Sequence, residues 1–570
     1  MKLNRRSMLS RIGKLAAYGL AAPFTIRYAR GAHAQSSTGS LRIDDGSVFD
    51  LSIASGDPTS TGVILWTHVR PERVVTRQPL RFQVALDPRF DSLVLEGEVP
   101  ASSAPSALAD YTVKVDLDGH LRPGTRYYYR FVYGDVASRT GRCRTLPEAG
   151  ARSLKLALIT CQDYTNGYYA AFDDLARDDS VDFVVHLGDF IYESAADPRF
   201  QSLPFQDRQI VLPSGQGVAV DLADYRSLYR TYRSDRFLMR ALEQHTWIIS
   251  PDDHETANDC YWDYARDTLG APDHPFVEDA VALRGLKLAS QRAWAEYIPA
   301  RVQIDETASH PHDFLSTYRD FKFGDLARIS MLDSRSYRTG HPCGEGDLLE
   351  RYLPLGCDDF KNPGQFILGD TQEAWLLDRL SQRDTLWNVV GNQTLFTRLS
   401  LAGKLPIDMD AWDGYDAARQ RLSRAIRERD VRNLVVVTGD LHSYLAAQIK
   451  LDYDKLNPLD ASNQLGVEFM TPSVTSAALF DQLLKDLHGD ASLTSGLTTA
   501  AVFANNPHIR FFDSARHGYS TLTFAREYCE WVAYAIDKDT NTEAPSRHAI
   551  ARMRKYVNFP QLVPQSTAGF

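Results

Sequence analysis

Asp182-Phe-Val-Val-His-Leu-Gly-Asp-Phe-Ile-Tyr-Glu193 reads as an apolar strand that runs straight into a polar turn. Asp182–Leu187 is a short, β-branched run of the kind buried in a parallel sheet, and Gly188 ends it. The same arrangement recurs on both sides. Leu154–Ile159 precedes Cys161, and Thr246–Ser250 precedes Asp252-Asp253-His254-Glu255. Trp387–Val390 precedes Gly391-Asn392-Gln393, and Asn433–Thr438 precedes Gly439-Asp440-Leu441-His442. Asp325–Leu332 is a further strand, and helices are expected over 369–382 and 411–429. Strands alternating with helices predict an α/β layered domain over residues 153–545, with 546–570 as a C-terminal tail. In such sheets ligands bind at the carboxyl ends of the strands, so the polar tips should converge there. Residues 195–245 and 255–315 are long insertions, which in α/β enzymes shape the substrate site.

Upstream, residues 45–147 read as β. Gly62–Trp66, Leu80–Val84 and Tyr111–Val115 are rich in β-branched and aromatic residues, and Leu121–Phe131 places a Pro-Gly turn before an aromatic strand. Short strands with frequent turns predict an immunoglobulin-like β-sandwich preceding the α/β domain. Residues 1–34 hold seven basic residues and no acid, with Arg5-Arg6, an apolar stretch Leu15–Ile26 and the small-x-small site Ala32-His33-Ala34. Pro23 and the short apolar run argue against a membrane anchor. Asn4-Arg-Arg-Ser-Met-Leu9 resembles a twin-arginine (Tat) signal peptide. It implies export through the Tat translocon to the periplasm or beyond.

The residues after 34 carry 56 basic against 73 acidic groups, a net −17. So acidic a chain offers no electrostatic footprint for nucleic acid. Cys343 and Cys357 bracket a Gly- and Pro-containing loop and are expected to pair in an oxidising compartment.

Singly, each polar tip is ordinary: Gly-Asp-x-x-Tyr is a common turn, a lone Cys after a strand is core, and Asp252-Asp253 could cap a helix. Together they offer thiolate, phenolate, imidazole and carboxylates to one crevice. A thiolate, a tyrosinate and an imidazole suit a strongly Lewis-acidic ion such as Fe(III), whereas carboxylate and amide oxygens suit calcium. Asp189, with two carboxylate oxygens, is the natural bridge between ions, and such a cluster suits in-line attack on a phosphate ester.

A GDxxY motif, a DDHE motif and a GDxH motif in that order resemble the PhoD-like phosphatases, metallophosphoesterases related to purple acid and calcineurin-like phosphatases. Ser55-Gly-Asp-Pro58 with Leu65-Trp-Thr67, Leu332–Arg338, Leu368–Gln372 and Asn506–Phe512 also look like family segments, so the resemblance covers nearly the whole chain after the leader. It implies an exported alkaline phosphatase that hydrolyses phosphate monoesters or diesters. It implies Fe(III) held by Cys161, Asp189, Tyr192 and His442, and calcium held by Asp189, Asp253, Asn258 and Asp440. Asp259, beside Asn258, is an equally suitable ligand. Purple acid phosphatases carry Asp where this chain has Cys161, so the thiolate favours the PhoD branch. His254 is implied as proton donor or oxyanion stabiliser, and Asn392 stands where relatives often place a metal-binding histidine. Arg335 and Arg338 either grip phosphate or form structural salt bridges, and His517 either reaches the cleft or lies at the surface.

Two other readings bear on function. Some PhoD relatives act on phospholipids, which makes a phospholipase D-like phosphodiesterase the alternative among enzymes. An adhesion or carbohydrate-binding protein would use the sandwich but leave the metal-competent residues without a purpose.

Overall fold

The computed structural model describes residues 25–28, 41–198, 201–346, 351–354, 356–401, 405–455, 457, 460–478 and 491–568. The paired arginines and the cleavage site of the leader lie outside the described residues. At its centre two β-sheets stack face to face, with helices on both outer faces. The strands of the sequence motifs divide between them. Ser153–Ile159, Phe183–His186 and Thr246–Ile249 run parallel and adjacent in a ten-stranded sheet. Ala327–Met331, Trp387–Gly391, Leu434–Thr438 and Gln464–Met470 run parallel in a seven-stranded sheet.

Alternation along each strand explains the layering. Leu154, Leu156 and Leu158 face Ile329, Val389, Val435 and Val437 of the other sheet in one shared core. Ala157 and Ile159 point the opposite way, into a second core. Helices Ala170–Arg177, Leu222–Arg233, Arg236–Gln244 and Ala280–Tyr297 cover that face, three of the four started by an Asp side chain that accepts first-turn N–H groups. Val390, Leu434 and Val436 back onto helices Gly369–Ser381 and Asp416–Glu428, which supply Leu376, Leu380, Leu422 and Ile426.

The N-terminal β unit is a sandwich whose second layer is not its own. Ile53–Gly56, Ile64–His68 and Thr112–Asp116 belong to the ten-stranded sheet, where Ser55 and Gly56 pair in parallel with Thr246 and Trp247. Leu80–Ala85, Leu93–Glu98 and Arg126–Tyr133 form the facing sheet, and Phe82, Val84, Tyr127 and Phe131 pack on Ile53, Val63, Leu65 and Val115.

Residues 546–570 are not a tail. His548–Tyr556 and Leu562–Pro564 extend the ten-stranded sheet beyond Tyr528–Ala535. Ion pairs from Arg552 and Arg554 to Glu530 give the outer face of these strands its polar composition. Cys343 and Cys357 form the expected disulfide, their Cα atoms 5.6 Å apart, and the other cysteines are buried and free. No helix among the described residues is long and apolar enough to cross a membrane.

Candidate metal centre

The tips after Ile159, His186, Ile249 and Thr438 meet in one cleft lined by Asp189, Tyr192, Asp253, His254, Asn258, Asp259, Asp440 and His442, among others. Cys161, Asp189, Asp440 and His442 all take left-handed backbone angles, φ 55°, 60°, 62° and 52°. Such angles are costly for residues with a Cβ and persist where the surroundings over-determine them, as at functional sites. The glycines of both Gly-Asp pairs are sterically required. A Cβ on Gly188 would come 2.8 Å from the backbone nitrogen of Asp252, and one on Gly439 would come 2.5 Å from Thr160 Oγ1. Glu255 fastens two of the tips together: its carboxylate accepts the N–H groups of Asp189, Phe190 and Asp252 at 3.0, 2.8 and 2.8 Å.

On one side of the cleft, donor atoms of Cys161, Asp189 and His442 lie within 4.8 Å of one another. The Tyr192 hydroxyl is 3.2 Å from Asp189 Oδ2 and 3.3 Å from His442 Nε2, and Ser476 Oγ donates to it at 2.6 Å. His442 Nδ1 donates to the carbonyl of Ala477 at 2.6 Å, which turns the Nε2 lone pair toward the tyrosine. Burial lowers the His442 pKa to about 4, so the ring is neutral, the form that binds metals.

On the other side, donors of Asp189, Asp253 and His254 form one group, and those of Asp252, Asp253 and Asp440 form another. Asp189 thus belongs to both sides. Burial, then the neighbouring Asp253 and Asp252, push its carboxyl well above the usual range even though His254 opposes them. Burial and surrounding carboxylates raise Asp440 likewise, against Arg335, and Asp252 is pushed up to about 7. Burial raises Cys161 and Tyr192 too, with Asp189 adding to it. Asp252 Oδ2 is buried with no hydrogen-bond partner, and Asp253 Oδ1 has none either, with the Arg335 guanidinium 3.6 Å away. Buried carboxylate oxygens left in this state are costly unless a cation takes them. The donors present therefore fit metal ions, with mixed N, O and S donors on one side and oxygens on the other.

Asn258 lines the cleft, and its Nδ2 donates to Asp273 Oδ2 at 2.9 Å, which leaves the amide oxygen on the opposite side. Asp259 is engaged instead by Arg351 at 2.7 Å and Tyr352 at 3.1 Å. Arg335 does not line the cleft. It is buried, with Nε 2.5 Å from Asp252, Nη1 2.5 Å from Asp410 and Nη2 2.8 Å from Asp440. Arg338 pairs with Asp410 as well. Asn392 is turned behind the second sheet, where it lines an apolar cavity with Leu332 and Phe396. His517 is half-buried, its Nδ1 3.0 Å from Ser473 Oγ, outside the cleft lining. Ser476, Ala477, Tyr352 and Asp410 join the site without any signal in the sequence reading. Glu193 was visible as the end of the Gly-Asp turn, and its part is to hold His254.

Known proteins resemble the chain in sequence and in fold. The PhoD-like phosphatase family model matches residues 156–532, and the model of that family's N-terminal domain matches residues 34–147. Alkaline phosphatase D of Bacillus subtilis (strain 168) is 32% identical over 530 residues, covering 91% of this chain and 82% of that protein. A solved structure of PhoD superposes with a TM-score of 0.76 at 28% identity, covering 92% of this chain and 93% of the other. The chain is a phosphoric ester hydrolase and belongs to the PhoD-like phosphatase family.

Proposed function

We propose that this chain is an exported alkaline phosphatase that hydrolyses phosphate monoesters, diesters or both at a mixed Fe(III) and calcium centre. Cys161, Asp189, Tyr192 and His442 hold the iron, and Asp189, Asp253, Asn258 and Asp440 hold calcium. The observation that carries the reading is the meeting of a thiol, a carboxylate and an imidazole within 4.8 Å, with a tyrosine hydroxyl at 3.2–3.3 Å from two of them, beside an oxygen-only group that shares Asp189. Bound ions supply Lewis acidity toward the phosphoryl oxygens and lower the pKa of a bound water. His254, tilted against the Tyr192 ring with centroids 4.0 Å apart, supplies a proton to the leaving oxygen or steadies the charge that develops on phosphate. Arg335 sets the spacing of Asp252, Asp410 and Asp440 rather than touching substrate.

The test is a panel of an aryl phosphate monoester, an aryl diester and a phospholipid, given to the purified holoenzyme before and after chelation, with Ca²⁺ or Mg²⁺ added back. Hydrolysis of the aryl esters, lost on chelation and restored better by Ca²⁺ than by Mg²⁺, is expected, because irregular oxygen cages suit the larger ion. Turnover of the phospholipid alone would favour the phospholipase D-like alternative. Undiminished activity after exhaustive removal of metal would sink the metal-dependent reading.

A further inference from the structure

Between Cys343 and Cys357, which the disulfide joins, Tyr352 lines the cleft and Arg351 reaches Asp259 beside it. Arg351 is buried. Its Nη1 donates to Asp259 Oδ2 at 2.7 Å, and its Nη2 lies 3.1 Å from Asp273 Oδ1 and 2.9 Å from Asp273 Oδ2. Asp273 in turn accepts the Asn258 amide at 2.9 Å. The Asp259 backbone N–H donates to Asp253 Oδ2 at 2.7 Å, and Asp259 takes a left-handed φ of 52°. One guanidinium thus spans the two carboxylates that fix the Asn258–Asp259 turn, and that turn holds Asp253. The loop is anchored a second time where the Tyr352 carbonyl accepts the Asp408 N–H at 2.9 Å.

We propose that Arg351 is a positioning residue for the calcium side of the centre, held in place by the Cys343–Cys357 disulfide. The inference rests on the calcium reading above. Arg351 touches none of the proposed ligands' free oxygens, and it acts through Asp273 on Asn258 and through Asp259 on Asp253. The alternative role, plain charge balance, has the opposite sign. A cation beside an acidic cluster competes with a bound cation, so if Arg351 acted only by its charge, removing it would tighten calcium binding. If Arg351 orients the ligands, removing it weakens binding despite the more negative site, by roughly tenfold or more, as for other partners of metal ligands.

The experiment is calorimetric titration of calcium into iron-loaded, calcium-stripped full-length protein, with the visible spectrum recorded for each sample. Arg351→Met is expected to raise the calcium Kd by roughly tenfold or more while leaving the visible band unchanged, and Arg351→Lys to lie between it and wild type. The pair Cys343→Ser/Cys357→Ser keeps every carboxylate and guanidinium, and it is expected to weaken calcium in the same direction by a smaller factor. Tighter or unchanged calcium binding in Arg351→Met overturns the proposal. Should that variant fail to fold, an unchanged Kd in the cysteine pair overturns it. Wild-type protein that binds no calcium overturns both this and the calcium assignment, whereas calcium-binding wild type with unaltered variants overturns this inference alone.

Discussion

His254 Nδ1 lies 2.7 Å from a carboxylate oxygen of Glu193, whose other oxygen accepts the Asn258 backbone N–H at 2.8 Å. The ring's orientation is thereby fixed through Nδ1. Burial disfavours the imidazolium, but Glu193, Asp253 and Asp189 outweigh it and hold the His254 pKa well above the ordinary value. A group with a raised pKa stays protonated until pH rises through that value, so an acid role for His254 persists into alkaline solution and fails only above it. His254→Ala should cut kcat by roughly 10²-fold or more. Glu193→Gln should cost less at neutral pH and shift the alkaline limb of the kcat profile to lower pH. Superimposable pH profiles for wild type and Glu193→Gln would show that the pair does not govern protonation.

Tyr192→Phe removes one oxygen and keeps the ring that packs on His254. If Tyr192 is a phenolate ligand to Fe(III), the wild-type protein is violet from a ligand-to-metal charge-transfer band. The variant should lose that colour, retain its thermal stability and turn over more slowly as the ion's hold weakens. Absorption spectra with elemental analysis decide it. A colourless, active, iron-free wild type refutes the ferric assignment.

Arg335 faces Asp252, Asp410 and Asp440 at 2.5–2.8 Å and Asp253 at 3.6 Å, all buried or nearly so. Removing one partner of a buried ion pair leaves the others uncompensated. Arg335→Met should therefore destabilise the protein by roughly 3–5 kcal/mol, measured by denaturant unfolding at fixed metal. A variant with native stability and a raised KM alone would mean that the guanidinium serves substrate instead.

The fold also carries an acid sensitivity remote from the metals. His245 Nε2 donates to the Leu175 carbonyl at 2.9 Å, and His508 Nε2 donates to the Arg398 carbonyl at 2.8 Å. Burial pushes their pKa values down to about 4 and about 3. Both are neutral in the folded state, so below the unfolded value of ~6.5 the unfolded chain binds the extra protons. Stability is complete above that pH and is lost as pH falls toward the folded values, at up to ~1.4 kcal/mol per pH unit for each ring. Thermal melts between about pH 6.5 and pH 5 should fall, with a shallower slope in His508→Gln. An identical slope in that variant would remove His508 from the account.

Export is tested in the cell. Arg5→Lys with Arg6→Lys should leave precursor in the cytoplasm if the paired arginines address the Tat translocon. Unchanged export of the double variant would exclude that route.

Much of this site was legible because its signal is local. Cys161, Asp189, Asp253 and Asp440 each sit within three residues of an apolar run's end, as Asp189 does after Leu187, and burial of those runs brings their tips together. The partition of strands between two sheets was not legible. Val184 and Val185 are equally apolar, yet one faces the helices and the other the second sheet. His548–Tyr556 was missed because Arg552 and Arg554 answer Glu530 across an open face, and such alternation reads as polar tail. Arginine near the site was foreseen by residue type. Its partners were not, because Asp410 lies far along the chain from Arg335 and belongs to no motif.

The strand that leads to Cys161 pairs with Phe183–His186 on one side and with Gly518–Ala525 on the other. The second partner leaves the ribosome only after most of the chain has been made. Until then the strand has one unsatisfied edge. The sheet edge beside the candidate metal centre is therefore completed only late in synthesis. If ions enter only a completed cleft, the compartment in which Gly518–Ala525 docks sets the pool they come from.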